Sequence, residues 1–278
     1  MKIKRSGHAP YDEQKRQRVL VTGSAGFIGS HLIKALSVPY MNIEVVEYDI
    51  KTGMFDDIRR TADIEEVIDT CDFVIHLAAN ADVRRSIAYP DEYWENNVEP
   101  TTVIQNRCEW NDIPLLYASS SCIHQWHKSP YGISKKVNEQ TARPNQVGLR
   151  FTTVYGEGAR DSMFMSKLMG NRLRYATNHI RDFIHVNDAV KAIMVIKRHL
   201  ESTFRFNSYL INPAYDIGTG KGLVVSDLAK IINPGIEIRE GHECEADDNT
   251  ADISEIMELG WKPEEPDAAI FTDEWNKK

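Results

Sequence analysis

The sequence predicts an α/β protein, a doubly wound parallel sheet with a smaller second domain. Two observations carry the prediction. Short apolar runs suited to buried strands alternate with helix-period segments through the first half of the 278-residue chain, as in a parallel sheet covered on both faces. The first of those runs, Val19-Leu20-Val21, leads into Gly23, Gly26 and Gly29 and then into helix-like sequence from Ser30 to Leu36. Strand, glycine turn and helix open a dinucleotide-binding (Rossmann) unit. Glycine lets the backbone turn sharply and approach a pyrophosphate, and the helix start offers free N–H groups with a partial positive charge.

The other elements follow in order. Ile43 to Asp49 reads as the second strand, and Asp49, 20 residues after Gly29, stands where an acid can bind the adenosine ribose hydroxyls. That carboxylate favours NAD over NADP, whose 2′-phosphate it would repel. Asp72 to Leu77 reads as a buried strand, and Ile113 to Ala118 as another with Pro114 at its start, where proline is tolerated. Between them Pro90 to Trp110 reads as one long helix that Pro100 either kinks or restricts to a start near Thr101. Val147 to Val154 reads as a further strand, Ala189 to His199 as an amphipathic helix and Asn207 to Asn212 as a linker. The expected organisation is a flexible basic extension over 1–17 and a dinucleotide-binding domain over 18–150 with a returning segment at about 183–213. A second domain is then assembled from 151–182 and 214–278.

Composition narrows the function. A net charge of -8 and a pI near 5.6 argue against a nucleic-acid partner, which needs a basic face. Cys71, Cys108, Cys122 and Cys244 are scattered without a metal-type pair, so no metal is expected and a reducing, cytoplasmic location is. No apolar run approaches membrane-spanning length, and the first 18 residues are too polar for a secretory signal.

The chemistry-bearing signal is Tyr131 four residues before Lys135, a spacing that puts both on one helix face. Tyr11 and Lys15 repeat the spacing, but they precede the glycine turn. Tyr131 instead follows a strand ending in Ser119-Ser120-Ser121, whose C-terminal end should point into the ligand crevice. Hydroxyls at a strand end, then Tyr and Lys, after a cofactor loop, make an acid–base site. To act as a base near neutral pH a tyrosine must titrate about three units below its usual value of about 10, roughly 4 kcal/mol. A lysine ammonium about 4–5 Å away supplies roughly 3–4 kcal/mol at an effective dielectric of 20.

At this point the chain resembles the extended short-chain dehydrogenase/reductases, specifically the NAD-dependent nucleotide-sugar epimerases and dehydratases. The matching stretches run in family order from about Val19 to Trp275 and include "TGSAGFIGSHL", "HLAANADVRRS", "NNVEPT", "YASSS", "YGISK", "GLRFTTVYGEG", "RDFIHVNDAV" and "LGWKP". The resemblance implies that Gly23, Gly26 and Gly29, with Phe27 and Ile28 at the helix start, hold the pyrophosphate, and Asp49 the ribose. Asp57 and Ile58 match the adenine-side pair. Leu77, Ala78 and Ala79 match the turn against the cofactor, and Asn97 the asparagine before the central helix. Ser120, Tyr131 and Lys135 match the catalytic residues, and Arg181 a basic residue that contacts the nucleotide diphosphate. The second domain would then bind the nucleotide sugar.

The same resemblance implies C4 epimerisation of a UDP-sugar with bound NAD. "YASSS" and "GLRFTTVYGEGARDSM" look most like the UDP-glucuronate 4-epimerases, which makes Arg160 the candidate partner of a sugar carboxylate, aided by the hydroxyls of Ser121 and Thr153. The alternatives are a 4,6-dehydratase or reductase of the same family, or a non-catalytic NAD-binding protein. Dehydratase relatives carry Asp-Glu after the catalytic Thr, where this chain has Ser121-Cys122. The chain also departs from the family in short spacings: Ser120 to Tyr131, Asp49 to Asp57 and Gly158 to Arg181. It departs again in His242, which stands where a second diphosphate arginine is expected. The family pairs two helices with their copies, so a homodimer is expected here through Val103, Ile104 and Val137.

Overall fold

The computed structural model describes residues 16–205, 213–265, 268 and 272. Most of the basic extension and the linker Asn207 to Asn212 lie outside the described residues. Six parallel strands form the main sheet in the order β2-β1-β3-β4-β5-β9. They are β1 (Gln17–Thr22), β2 (Ile43–Tyr48), β3 (Phe73–His76), β4 (Leu115–Ser120), β5 (Gln146–Phe151) and β9 (Ala214–Ile217). The chain runs from β1 outward to β2 and returns to β3 on the other side of β1, so the topological switch lies between β1 and β3, where a crevice opens at the carboxyl ends of the strands. Register sets that floor: Thr22 pairs with His76, and His76 with Tyr117.

Alternation along β1 explains the double winding. Val19 and Val21 point to one face, into a core with Leu32 and Leu36 of α1 (Phe27–Leu36) and Ile193, Ile196 and Leu200 of α8 (Val186–Arg205). Leu20 points to the other, into a core with Ile64 and Ile68 of α2 (Thr61–Ile68) and Ile104 and Cys108 of α5 (Glu99–Trp110). Each such aliphatic, buried from water, stabilises the fold by roughly 1.5–3 kcal/mol. Strands covered on both faces read as apolar runs, which is why the sequence showed them.

Three local expectations are corrected. The helix expected over Pro90 to Trp110 is two, α4 (Pro90–Asn97) and α5, preceded by α3 (Val83–Ala88). The break falls at Val98 and leaves Pro100 in the first turn of α5, where its missing N–H costs nothing. The strand expected over Val147 to Val154 leaves the main sheet after Phe151; Thr152 turns its N–H and hydroxyl to the Ile217 carbonyl, and β6 (Thr153–Tyr155) joins a second sheet. The third concerns Ile104, offered as part of a dimer face: it is fully buried beneath the sheet.

The second sheet has the order β10-β8-β6, with β8 (Ile180–His185) between β6 and β10 (Gly222–Val224). A third pairs β7 (Tyr175–Ala176) with β11 (Glu237–Ile238). Around them lie α6 (Pro130–Thr141), α7 (Phe164–Met169), α9 (Val225–Ile232) and α10 (Ser254–Glu258). Asp49 to Asp57 contains no strand, so β2 is a sheet edge. Among the described residues, no helix is long and apolar enough to cross a membrane, and no group of three His, Cys, Asp or Glu could hold a metal ion.

Candidate active site

The glycine loop has the geometry its spacing predicts. Gly23 adopts φ +69°, and a Cβ there would lie 2.7 Å from the Ala78 nitrogen, so the loop after β1 and the turn after β3 touch. A Cβ at Gly29 would lie 2.0 Å from the Gly23 carbonyl oxygen. Gly26 caps α1 without a side-chain hydrogen bond, and no acid sits in the first turn, which leaves the N–H groups of that end open to an anion. The Ser24 hydroxyl in the same loop is buried and has no hydrogen-bond partner among the described residues. An uncapped ten-residue helix, a glycine cradle and an orphaned hydroxyl fit a dinucleotide pyrophosphate.

Phe27 meets the His31 ring edge-on at the helix start, and Ile28 packs on the core. Asp49 accepts from Ala25 N at 3.2 Å and Lys51 N at 2.9 Å, so the expected ribose acid also braces the glycine loop. Asp57 is held by Arg59, whose hydrogen bond keeps that carboxyl below its usual range, while Ile58 turns into the core. Leu77 N donates to Thr22 O and Ala78 N to the Thr22 hydroxyl, with Ala79 half-buried beside them.

Sequence reasoning missed how this turn is held. His76 lies between the hydroxyls of Thr22, at 2.6 Å, and Thr101, at 2.9 Å. Burial, aided by the Lys135 charge, lowers its pKa to about 3, so it stays neutral. Asn97 is fully buried, and its amide bonds the Asn80 backbone in both directions and Ser134 Oγ. It therefore braces the turn against α6.

Ser120 ends β4, and the chain then folds through a short 3-10 segment, Ser121–Lys128. Ser129 Oγ accepts from Gly132 N and starts α6, with Pro130 at its first position. A Cβ at Gly132 would lie 2.6 Å from the Trp126 carbonyl oxygen; this close crossing is how only 11 residues bring Ser120 back to Tyr131. The spacing puts Tyr131, Lys135 and Asn138 on the buried face of α6. Tyr93 meets the Tyr131 ring edge-on at 6.2 Å.

The electrostatics differ from the sequence expectation. Burial pushes the Tyr131 phenol above its ordinary range; the nearby Cys122 adds to this, and a hydrogen bond with Ser120 and the Arg160 charge pull against it. Lys135 Nζ donates to the Ala118 carbonyl at 2.8 Å and lies 5.9 Å from the centre of the Tyr131 ring. Burial lowers the Lys135 pKa to about 8. Desolvation is the largest influence on both groups.

The expected substrate residues divide. Ser121 and Thr153 are brought together by Asn249, whose amide donates to both at 3.3 and 3.4 Å; its place two residues before Ala251-Asp252 was the available signal. Arg160 is exposed and, among the described residues, has no ion pair: Asp161 is taken by Arg172. Arg181 bonds the carbonyls of Ile180 and Ala246 and faces Glu245 at 3.4 Å, not Asp182. Asp182 is fully buried and accepts from Thr219, Gly220 and Ala251, tying the second sheet to the end of β9. His242 is exposed, and its ring accepts from Cys244 N in a local turn.

A doubly wound sheet with a glycine loop at its switch point, facing a Tyr–Lys pair and a serine at a strand end, defines an extended short-chain dehydrogenase/reductase. The particular group is set by comparison: residues 19–211 match the model of the NAD dependent epimerase/dehydratase family, and the chain belongs to that family. It is 29% identical to a putative UDP-glucose 4-epimerase of Methanocaldococcus jannaschii, over 88% of this chain and 93% of that protein. The fold is similar to MoeE5 in complex with UDP-glucuronic acid and NAD, with TM-score 0.74, 26% identity and coverage of 94% of this chain and 99% of that one. DesIV, a dTDP-glucose 4,6-dehydratase from Streptomyces venezuelae, shares the fold at TM-score 0.76 and 21% identity, over 94% of this chain and 97% of its own.

Proposed function

We propose that the protein is an NAD-dependent 4-epimerase of a UDP-sugar. The observation that carries the reading is the convergence of Ser120, Tyr131 and Lys135 at the carboxyl end of β4, beside the glycine loop. NAD, when bound, supplies the hydride acceptor and donor for a 4-keto sugar. Gly23, Gly26, Gly29 and the start of α1 would hold its pyrophosphate, and Asp49 its ribose. Tyr131 exchanges a proton with the sugar 4-oxygen, and Ser120 hydrogen-bonds the same atom. Lys135, released from the Ala118 carbonyl, favours the tyrosinate and binds the nicotinamide ribose. Residues 18–150 form the cofactor half, and the segments around the second sheet form the sugar half. The absence of acids after Ser120 disfavours dehydration, which needs them to remove water across C5 and C6. The protein works as a homodimer.

The sugar is a uronate. Support comes from Arg160, an exposed guanidinium with no ion pair among the described residues, whose charge reaches Tyr131. A guanidinium grips a carboxylate bidentately, and Ser121 and Thr153 add hydroxyls. The test is to incubate the protein with UDP-glucose, UDP-glucuronate and their 4-epimers, separate the products, and repeat with Arg160→Met. Turnover of UDP-glucuronate should fall about 10- to 100-fold in the variant while any activity on UDP-glucose hardly changes. Equal loss on both removes the uronate assignment, and no interconversion of any pair removes the epimerase reading.

A further inference from the structure

A network of charged side chains joins the acid–base site to β9. Ser119, the neighbour of Ser120 on β4, donates from its hydroxyl to Glu139 Oε1 of α6 at 2.6 Å. Arg150 of β5 grips the same carboxylate with two N–H groups, at 2.9 and 2.8 Å, and faces Asp216 Oδ1 of β9 at 3.5 Å. His124 Nε2 lies 3.0 Å from Asp216 Oδ2. Asp216 is buried, and the same oxygen accepts from Asp252 N at 3.3 Å. Glu139 and Asp216 bring two negative charges and Arg150 one positive. An imidazolium at His124 cancels the charge left over. A neutral ring leaves that charge on a buried carboxylate, which is costly.

His124 sits in the 3-10 segment Ser121–Lys128, which returns the chain from Ser120 to Tyr131. That segment is two turns joined at Gln125, whose φ of -131° and ψ of 44° are not helical and whose Oε1 is buried with no partner among the described residues. Each turn is fixed separately. The second packs on α6, where the Trp126 carbonyl crosses Gly132, and ends with Lys128 Nζ donating to Asp247. The first is fixed by the Asn249 amide on Ser121 and by His124 on Asp216. The charged groups that face His124 are Asp216 from β9, Arg150 from β5 and Glu139 from α6; on its own segment Lys128 is engaged with Asp247, and His127 lies against Trp126. The hydrogen bond to Asp216 raises the His124 pKa above its ordinary value of 6.5, while burial pulls against it. The charge on this contact is therefore fully present below the unfolded-state value and is lost as pH rises through the higher folded one.

We propose that His124 is a positioning residue for the acid–base site: its contact with Asp216 fixes the first turn of the segment, and so the spacing of Ser120 and Tyr131, tightly while the ring carries a proton and loosely once it does not. The effect on turnover rests on the epimerase reading above; the effect on the segment does not. A charge-assisted hydrogen bond is about twice as strong as a neutral one, so the proton separates the tight state from the loose one. The neutral ring can still donate from Nε2 to Asp216, so the segment loosens without coming away. Catalysis feels the difference because Ser120 and Tyr131 address one sugar oxygen, and a small misplacement of either slows the reaction.

The test compares two substitutions with wild type in the NAD-loaded protein: His124→Gln, a neutral donor at every pH, and His124→Arg, a cation at every pH. Amide hydrogen exchange of the Ser121–Lys128 segment is measured at about pH 6 and about pH 9, on either side of the histidine range. At the lower pH His124→Gln should exchange about fivefold faster than wild type, and His124→Arg at the wild-type rate. At the higher pH His124→Gln should match wild type, and His124→Arg should exchange more slowly than both. Turnover should follow: His124→Gln loses about fivefold in kcat at the lower pH, with KM little changed, and converges on wild type at the higher. A ratio of His124→Gln to wild type that does not change with pH, in exchange or in kcat, overturns the proposal, because a purely structural role gives the same loss at both. Should His124→Arg not fold, the two ratios for His124→Gln carry the test alone. If exchange follows the pattern but no UDP-sugar pair is interconverted, the epimerase reading fails and the hold on the segment stands. If a pair is interconverted and the exchange ratio is flat, the proposal fails and the reading stands.

Discussion

Replacing Lys135 with methionine should make the folded protein more stable near neutral pH while removing its activity. The lysine is 3% exposed, and burial brings its pKa from 10.5 to about 8. In the unfolded chain it binds a proton up to its ordinary value; in the folded protein it gives that proton up sooner. Between those two values the unfolded state binds more protons, so wild-type stability rises with pH across that window. Below about pH 8 the penalty is complete, and the difference between the two pKa values corresponds to roughly 3 kcal/mol. Methionine has similar length and no charge to desolvate, but it forfeits the bond to the Ala118 carbonyl, a charge-assisted bond that offsets about 1.5 kcal/mol or more. The net expectation is a variant about 1–2 kcal/mol more stable than wild type at pH 7. That advantage should shrink steadily as pH rises toward 10. Urea unfolding of dinucleotide-free wild type and Lys135→Met, repeated at several pH values, measures it. A variant less stable than wild type at pH 7, or a difference that stays flat with pH, refutes the reasoning.

Three further outcomes are expected. Tyr131→Phe should retain cofactor binding and fold yet lose about 10²–10⁴-fold or more in turnover, with Tyr11→Phe silent as the control; a near wild-type rate in Tyr131→Phe would remove the assignment. Titration should show tighter binding of NAD than of NADP, because Asp49 repels a 2′-phosphate, and equal affinities would contradict this. Light scattering at micromolar concentration should give a dimer mass; because Ile104 is buried, the contact must use the half-buried Val103 and Val137, and a clean monomer mass discards the pairing.

What could be read from the sequence was what local pattern encodes. The glycine spacing located the loop and α1, apolar runs located β1, β3 and β4, and the four-residue spacing placed Tyr131 and Lys135 on one buried face. What could not be read depends on partners far along the chain. The β5–β6 break is decided by Ile217, whose carbonyl captures Thr152 across 65 residues. Asn97 finds its partners in Asn80 and Ser134, 17 and 37 residues away. The sign of the Tyr131 shift depends on how much water the folded protein excludes, which the Tyr–Lys spacing alone does not specify. His124 was in plain view four residues after Ser120, yet its partner Asp216 stands 92 residues away.

The joints between the two halves have a consequence for redesign. The chain passes from the main sheet to the second through Thr152 alone, and from β8 into α8 with no intervening residue. Its third passage, from β9 to β10, spans only Gly218 to Lys221 and is pinned by the Asp182 carboxylate. A hinge needs a few residues free to absorb changes in φ and ψ, and these three crossings supply almost none; the fourth, from β11 back to α10 on the main core, is longer but is tied to Asp182 through Asn249 and Ala251. The segments around the second sheet therefore do not form a cassette that can be lifted out at a free joint. Redesign of this scaffold is therefore a matter of single residues in its loops rather than of exchanged segments.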